Sequence, residues 1–233
     1  MILLGETILV VAAAHPDDEV LGCGGAIARH VGLGDQVHIL IMAEGVNARN
    51  MAPENSNNRK KLTELGQSAN RASKILGVSS LILNNFPDNR LDSLDLLDVI
   101  KVIEKQINKL KPSTVYTHHA FDLNIDHQLV SKAVFTACRP IPGETVRRIL
   151  FFEVPSNTEW SLPSSVHVFT PQYFIDITKN LKTKLDALKA YKTEIKPWPH
   201  PRSIRGVNHL ARWRGASVGC EAAEAFVVGR FII

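Results

Sequence analysis

The chain has 233 residues and a formal charge of +4 at pH 7. Hydrophobic residues make up 45% of it and charged residues 21%, which is typical of a soluble globular protein and excludes a disordered or fibrous one. Only three cysteines occur, widely spaced and without a Cys-x-x-Cys pair. The sequence therefore indicates neither a disulfide framework nor a thiolate zinc site, and it favours a reducing cytoplasm.

The apolar beginning of the chain, residues 1–14, has the hydrophobicity of a signal peptide but not its other features. It lacks a basic start, and Glu6 interrupts it. It is also too short to cross a bilayer, and no other stretch is long enough. We therefore predict a buried first strand at 7–13 in a cytoplasmic protein that is not transmembrane.

Strand-like and helix-like segments alternate through the first 140 residues. The predicted strands lie at 7–13, 36–43, 81–83 and 114–117, and the predicted helices at 25–31, 57–76, 93–110 and 127–137. This alternation predicts right-handed βαβ units, and hence a Rossmann-like α/β fold whose mainly parallel sheet has helices on both faces. In such sheets, ligands bind at the carboxyl ends of the strands.

A smaller C-terminal extension, at about 141–233, follows this core of about 1–140, and we predict that both belong to a single domain. Its predicted elements are strands at 148–154, 166–169, 173–177 and 225–233, a helix at 179–191 and a Pro-rich loop at 196–201. Between Lys179 and Arg214, ten Lys and Arg residues outnumber two acidic ones. This charge indicates either a solvated helix face and loop or a rim that attracts an anionic substrate.

The first motif that could carry out chemistry is His15-Pro-Asp-Asp-Glu19, directly after the first predicted strand. Adjacent carboxylates repel each other unless a positive group lies among them, and a divalent cation would supply that charge. His15 and Asp18 are three residues apart, so a single turn directs both side chains the same way, with Asp17 beside them. A capping cluster for the following helix is the alternative interpretation.

The second motif, Thr117 to His127, follows the fourth predicted strand and contains three histidines and two aspartates. In a parallel sheet it lies at the same edge as the first motif. His15, Asp18 and one of these histidines would then form a three-ligand site of nitrogen and oxygen donors with an open position for water. That is the pattern of a catalytic zinc site.

These two motifs resemble those of the PIG-L / LmbE-like family of zinc-dependent N-deacetylases. Ala14-His-Pro-Asp-Asp-Glu19 with Leu21-Gly-Cys-Gly-Gly25 matches the family's opening motif, and Asp122-Leu-Asn-Ile-Asp-His127 matches its downstream metal motif. Later segments, Phe151 to Ser156 and His200 to Ser203, resemble one branch of the family. The resemblance thus covers nearly the whole chain.

The resemblance implies a set of roles at these motifs. One Zn²⁺ per chain would be bound by His15, Asp18 and His127, although iron or manganese is left open. Asp17 would be the general base, and Asp126 would orient the metal ligands.

One position departs from the family's pattern. Many members have a histidine three residues before the last ligand, where it steadies the oxyanion, but this chain has Asn124 there. Asn124 can donate a hydrogen bond, but it supplies neither a proton nor a positive charge. His118, His119 or His200 is therefore an alternative for the roles of oxyanion helper and general acid.

The implied reaction is removal of the N-acetyl group from an N-acetylglucosamine-type amino-sugar conjugate. Zinc would polarise the amide carbonyl and lower the pKa of its bound water to about 7. Asp17 would take the water proton, and Asp17 or His200 would protonate the leaving amine. Arg49, His118 and Arg202 are the candidates for binding the substrate, although Arg49 is equally compatible with a surface arginine.

Other functions are open at this stage. They are hydrolysis of another sugar-linked amide, a non-catalytic sugar- or metal-binding module and a basic nucleic-acid module, for which the chain has no matching motif. Gly22-Cys-Gly-Gly25 is not a Gly-x-Gly-x-x-Gly sequence, which disfavours dinucleotide binding. We expect a small N-acetylated sugar as partner and no nucleic acid, and a homo-oligomer is left open.

Overall fold

The computed structural model describes residues 5–10, 14–44 and 56–233. The strands within these residues are β1 (Thr7–Val10), β2 (Gln36–Ala43), β3 (Ser80–Phe86), β4 (Thr114–His118), β5 (Arg148–Phe152), β6 (Tyr173–Asp176) and β7 (Ala223–Phe231). The α-helices are α1 (Asp18–Gly32), α2 (Ser56–Leu76), α3 (Leu96–Leu110), α4 (Ile125–Ala137), α5 (Leu181–Leu188) and α6 (Ile204–Ala216).

The strands form a single sheet in the order β3-β2-β1-β4-β5-β7-β6. The pairings from β3 through β5 are parallel, whereas β7 runs antiparallel to β5 and β6. This confirms the predicted Rossmann-like, mainly parallel sheet. Because the strand order reverses beside β1, the carboxyl ends of β1 and β4 border the crevice in which such folds bind ligands.

Helices cover both faces of the sheet, as predicted. One apolar cluster joins one face to α1, α2, α5 and α6, and a second joins the other face to α3 and α4. The sequence of α3 shows why these helices pack, since Val99, Ile100, Ile103 and Ile107 recur at helical spacing and are buried. The two clusters hold the strand ends, and therefore the loops at each edge, in fixed positions.

Helix α1 is broken near its start. Cys23 has non-helical backbone angles, with φ at −145°. Glu224 of β7 accepts a hydrogen bond of 2.9 Å from the N–H of Gly25, and buried Lys184 pairs with Glu224 and donates to the carbonyl of Leu21 at 2.8 Å. The ion pair therefore satisfies backbone groups that the break leaves without helical partners.

One strand predicted in the extension is absent. Residues 166–169 form no strand, because the Ser164 hydroxyl accepts hydrogen bonds of 3.2 Å from the N–H groups of Val166 and His167. A local turn thus uses backbone donors that a strand would offer to a neighbouring strand.

The helices of the extension also differ from the prediction. The helix predicted at 179–191 is shorter, and α6, which the sequence analysis does not predict, follows the Pro-rich loop. Ser203 caps α6 by accepting a hydrogen bond of 2.9 Å from the N–H of Gly206. A serine at this position is a helix-start signal. The apolar residues after it are scattered, so the sequence pattern alone does not predict the helix.

The extension continues the sheet of the core. Strands β5, β6 and β7 extend the sheet beyond β4, and α5 packs against α1 and α2. None of the helices in the described part of the chain combines the length and the apolar character that crossing a bilayer requires.

Candidate metal centre and active site

The two predicted motifs meet at the carboxyl edge of the sheet. His15 and Asp18 lie between β1 and the first turn of α1, and His127 lies in the first turn of α4, which follows β4. They come together because β1 and β4 are neighbouring parallel strands. Asp88, in the loop after β3, reaches the same place.

His15, Asp18 and His127 form a compact set of potential metal ligands. The Oδ2 atom of Asp18 lies 3.5 Å from Nδ1 of His15 and 3.1 Å from Nε2 of His127. Three ligand atoms, one from each residue, lie within 4.8 Å of one another. Two imidazole nitrogens and a carboxylate oxygen suit Zn²⁺ and leave a coordination position for water.

His15 also contacts two carboxylates on its other side. Its Nε2 lies 2.6 Å from Oδ1 of Asp88 and 3.7 Å from Oδ2 of Asp126. The other oxygen of Asp126 accepts a hydrogen bond of 3.0 Å from the N–H of Leu91. Because a metal-binding histidine commonly donates its second N–H to a carboxylate, we interpret these groups as orienting His15 and not as a second ion site.

Asp122 lies behind His127 in the same way. Its Oδ1 lies 3.2 Å from Nδ1 of His127, and its Oδ2 accepts a hydrogen bond of 2.7 Å from the Thr158 hydroxyl. Both histidines of the candidate metal set therefore have a carboxylate next to the ring nitrogen that does not face Asp18. Such a carboxylate fixes the tautomer and the orientation of a ligand imidazole.

Many buried polar atoms of this cluster lack partners. Over the described residues, twelve buried side-chain nitrogen and oxygen atoms have no hydrogen bond of acceptable geometry, and eight of them lie here. They belong to His15, Asp17, Asp18, His118, Asp126 and His127. Two of the eight, Nε2 of His15 and Nδ1 of His127, nevertheless lie 2.6 and 3.2 Å from carboxylate oxygens. An unsatisfied buried group costs about 1–3 kcal/mol, and a divalent cation held by His15, Asp18 and His127 would provide a partner for Asp18 and for Nε2 of His127. The residues present therefore fit a metal ion.

The charges in this cluster are strongly coupled. Burial disfavours the charged form of His15, but Asp18 and Asp88 outweigh it and raise the pKa of the imidazole to about 10. Burial also opposes the charged form of Asp18, yet His127 and His15 hold its pKa well below the ordinary value. For His127, burial is likewise outweighed by Asp18 and Asp122, and its pKa is raised. The cluster thus stabilises positive charge next to Asp18, as a cation site must.

Asp17 lies beside the candidate ligands without belonging to their set. Its Oδ2 lies 3.3 Å from the guanidinium of Arg202, whereas its buried Oδ1 has no hydrogen bond. Burial raises the pKa of Asp17 well above its ordinary value; Arg202 opposes this shift and Asp18 adds to it. A buried carboxyl with a raised pKa and one oxygen without a hydrogen bond has the properties of a group that takes up and releases a proton.

Asn124 is the N-cap of α4. Its Oδ1 accepts a hydrogen bond of 2.9 Å from the N–H of Asp126, and its Nδ2 donates to Oδ1 of Asn89 at 2.8 Å. Both ends of the side-chain amide are therefore engaged. This geometry favours a structural role for Asn124 over that of an oxyanion donor.

The two adjacent histidines after β4 differ in position. The ring of His118 is fully buried and stacks on His127, with 3.8 Å between the ring centroids. Burial and the neighbouring His127 hold the pKa of His118 well below its ordinary value, so this imidazole is neutral. His119 instead contacts the carbonyl oxygen of His167, at 3.2 Å from its Nε2.

The remaining predicted residues lie on the loop before α6 or outside the described residues. Arg202 donates to the Ser156 hydroxyl at 2.8 Å in addition to its contact with Asp17. His200 accepts a hydrogen bond of 3.0 Å at Nδ1 from the N–H of Arg202, so it is connected to the site through that residue. Arg49 lies outside the described residues.

Three residues that shape the site have no role in the sequence-based prediction, although one of them, Glu19, belongs to the first motif. Asp88 follows β3, and the rule that ligands bind at strand carboxyl ends was sufficient to find it. Glu19 accepts a hydrogen bond of 3.0 Å from the N–H of Asp17, and it also accepts one from the Tyr191 hydroxyl. Burial raises the pKa of Glu19 to about 7, although the Tyr191 hydrogen bond opposes the shift. No local pattern marks Tyr191, because only tertiary packing brings it to Glu19.

The fold and the site together define a Rossmann-like α/β protein with a candidate metal centre of two histidines and an aspartate at the carboxyl edge of its sheet. The family model described as PIG-L: GlcNAc-PI de-N-acetylase matches residues 9–138, a range that includes all three candidate ligands. The chain belongs to this family.

Two curated relatives are similar over most of their length. The protein named "Uncharacterized deacetylase YaiS", from Escherichia coli K12, is 33% identical over 191 residues, which cover 79% of this chain and 90% of the relative. The "Probable N-acetyl-alpha-D-glucosaminyl L-malate deacetylase 2" of Bacillus cereus is 26% identical over 191 residues, which cover 81% of this chain and 84% of the relative.

A solved structure with the same fold belongs to a different enzyme. GalB, the 4-carboxy-2-hydroxymuconate hydratase of Pseudomonas putida KT2440, is 23% identical and superposes with a TM-score of 0.76, covering 98% of each chain. This likeness shows the fold alone. Because the fold also occurs in a hydratase, the reaction must be argued from the side chains of the site.

Proposed function

We propose that this protein is a metal-dependent hydrolase that removes the N-acetyl group from an N-acetylglucosamine-type amino-sugar conjugate. One observation carries the proposal. Asp17, a buried carboxyl with a raised pKa and an unpaired oxygen, lies next to a buried set of two imidazoles and a carboxylate. Water activation at a metal ion needs this combination of ligands and base. Membership of the de-N-acetylase family supports the same reaction.

The metal would be bound by His15, Asp18 and His127. Zn²⁺ suits a ligand set of nitrogen and oxygen donors, and iron or manganese would also accept these ligands. When bound, the cation polarises the amide carbonyl and lowers the pKa of a coordinated water to about 7. Asp88 and Asp122 keep the two imidazoles oriented toward Asp18.

Asp17 acts as the general base. It takes the proton from the attacking water and then delivers it to the leaving amine, and a raised pKa suits both steps. The Arg202 guanidinium holds Oδ2 of Asp17, which leaves Oδ1 for the water. His200, which is linked to Arg202, is the second candidate for protonating the amine.

The substrate is a small N-acetylated sugar conjugate. The family description names an N-acetylglucosamine compound, and the Bacillus relative is named for an N-acetylglucosaminyl malate, which carries carboxylates. Arg202 provides a cation close to Asp17 for an anionic group of the substrate, and buried His118 provides a neutral ring next to the metal ligands. Arg202 is the proposed substrate contact, whereas the ring of His118 is fully buried against His127 and has no exposed surface for a substrate.

Metal analysis combined with a substrate panel tests the proposal. We expect purified protein loaded with Zn²⁺ to release acetate from at least one N-acetylated amino sugar, with a loss of one acetyl group by mass spectrometry. Chelation should abolish the release, and added Zn²⁺ should restore it. The Asp17→Asn variant should keep its metal and lose about 10²- to 10⁴-fold in kcat. Absence of acetate release across the panel, or full activity of Asp17→Asn, would contradict the proposal.

A further inference from the structure

Asp17 has a backbone conformation that residues other than glycine rarely adopt. Its φ is 120°, and such a conformation persists only where the surrounding structure holds it in place. The helix that follows engages the carbonyl of this residue, which accepts hydrogen bonds from the N–H groups of Val20 and Leu21 of α1. The Asp17 N–H precedes the helix and takes no part in its backbone hydrogen bonds, so a side-chain contact is needed to satisfy it.

Two buried side chains supply such a contact. Glu19 accepts the N–H of Asp17 at Oε2, over 3.0 Å, and accepts the Tyr191 hydroxyl at Oε1. Glu19 and Tyr191 are both completely buried. Each oxygen of the Glu19 carboxylate thus has one partner, and the chain Tyr191–Glu19–Asp17 runs from the C-terminal extension to the backbone of the proposed base.

A carboxylate is a costly group to bury at this place, and an apolar side chain of the same length would fill the same space. Only a hydrogen-bond acceptor such as Glu19 can provide a fixed partner for the Asp17 N–H. Tyr191 in turn fixes the rotamer of Glu19. It lies three residues beyond the end of α5, a helix that packs against α1 and α2, so its own position is set by the core.

We infer that Glu19 and Tyr191 are positioning residues that hold the Asp17 carboxylate in its reactive place, an inference that rests on the proposed role of Asp17 as general base. A displacement of about 1 Å at a catalytic group costs on the order of 10²-fold in rate, so a contact of this kind influences catalysis without touching the substrate. The metal ligands His15 and His127 take no part in this contact.

The test compares variants of the metal-loaded enzyme. Tyr191→Phe removes only the hydroxyl and should lower kcat at least tenfold, while KM and the affinity for Zn²⁺, measured by chelator competition, stay within threefold. Glu19→Met removes the acceptor, whereas Glu19→Gln keeps one for the Asp17 N–H. Glu19→Gln should therefore retain at least ten times the kcat of Glu19→Met.

Tyr116→Phe is the matched control. Tyr116 is also a buried tyrosine whose hydroxyl has one side-chain partner, His30, at the opposite edge of the sheet. Its loss should leave kcat within threefold of the wild type. An equal loss of activity in Tyr116→Phe and Tyr191→Phe would overturn the inference, because any buried phenol would then have the same effect.

Further outcomes are decisive as well. A decrease in kcat of less than tenfold for Tyr191→Phe overturns the inference, and so does a parallel loss of Zn²⁺ affinity, because the effect would then act through Asp18. If the wild type releases no acetate at all, the proposed function fails. Crystal structures of the wild type and of Tyr191→Phe then test the inference independently of activity. It stands if φ of Asp17 changes in Tyr191→Phe, and it fails if Asp17 keeps its conformation.

Discussion

Two polar clusters lie at opposite edges of the same sheet, and they differ in how completely their atoms are paired. At the amino edge, Glu6, His30, Tyr116 and Arg148 border a cavity of about 250 Å³. There, His30 lies 2.7 Å from Asp35 and 2.8 Å from the Tyr116 hydroxyl, and Arg148 pairs with Glu6. Within the described residues, none of these side chains has a buried polar atom that lacks a partner.

At the carboxyl edge, the same residue types lie close together, but several of their buried polar atoms have no hydrogen bond of acceptable geometry. His15, Asp18 and His127 carry unpaired buried atoms although each lies close to an opposite charge. A histidine next to a carboxylate therefore does not by itself indicate a metal site, because His30 and Asp35 have that arrangement in a closed network. What distinguishes the candidate centre is the number of buried polar atoms without a hydrogen bond of acceptable geometry, together with the approach of two imidazoles to one carboxylate.

The largest expected difference between the two edges is in metal content. His127→Ala should reduce the bound metal from one ion per chain to none and abolish acetate release, because it removes one of three protein ligands. His30→Ala should keep full metal content and activity. Elemental analysis by mass spectrometry, with circular dichroism to confirm folding, measures the first quantity. Metal retained in His127→Ala and lost in His30→Ala would reverse the assignment of the two clusters.

A smaller difference is expected for the carboxylates behind the histidines. Asp88→Asn should weaken Zn²⁺ binding by about 10- to 100-fold, because Asp88 lies 2.6 Å from Nε2 of His15 and, under the proposal, orients a metal ligand. Asp35→Asn makes the same change beside His30 and should leave the affinity within threefold. Chelator competition gives both dissociation constants. Equal affinities in the two variants would show that Asp88 has only a structural role.

The fold of the core could be predicted from sequence because its signals are local. The observed β2, Gln36–Ala43, has the predicted bounds, and α2 and α3 end at the predicted residues, Leu76 and Leu110. The extension was harder, because a serine hydroxyl at Ser164 decides whether 166–169 pairs as a strand, and that hydrogen bond leaves no periodic pattern.

The candidate ligands could be found because strand ends and motif spacing restrict where side chains lie. Two motifs and one topological rule bring His15 and Asp18 together with one histidine of the second motif, and the family resemblance selects His127. The contacts that control Asp17 could not be found in this way. Arg202 lies 185 positions away from it along the sequence, and Tyr191 lies 172 positions from Glu19. Only the packing of the extension on α1 brings these groups together.

The smallest expected effect concerns Asn124, which belongs to the carboxyl edge but is paired like a residue of the amino edge. Asn124→Ser keeps an N-cap acceptor of similar strength, so the free energy of unfolding should change by no more than about 0.5 kcal/mol. Because the side-chain oxygen of Asn124 caps α4 and the side-chain nitrogen contacts Asn89, kcat should fall by less than tenfold. Chemical denaturation and steady-state kinetics measure the two quantities.

A larger loss of activity in Asn124→Ser would change the comparison between the amino and carboxyl edges of the sheet. Removal of an oxyanion donor costs about 10²- to 10³-fold in kcat. A loss of that size with unchanged stability and metal content would mean that the second amide hydrogen of Asn124 reaches the reacting carbonyl. The presence or absence of hydrogen-bond partners would then distinguish metal ligands from structural residues, but it would not identify the groups that act on the substrate. An amide with one unused N–H can stabilise the fold and take part in the reaction at once.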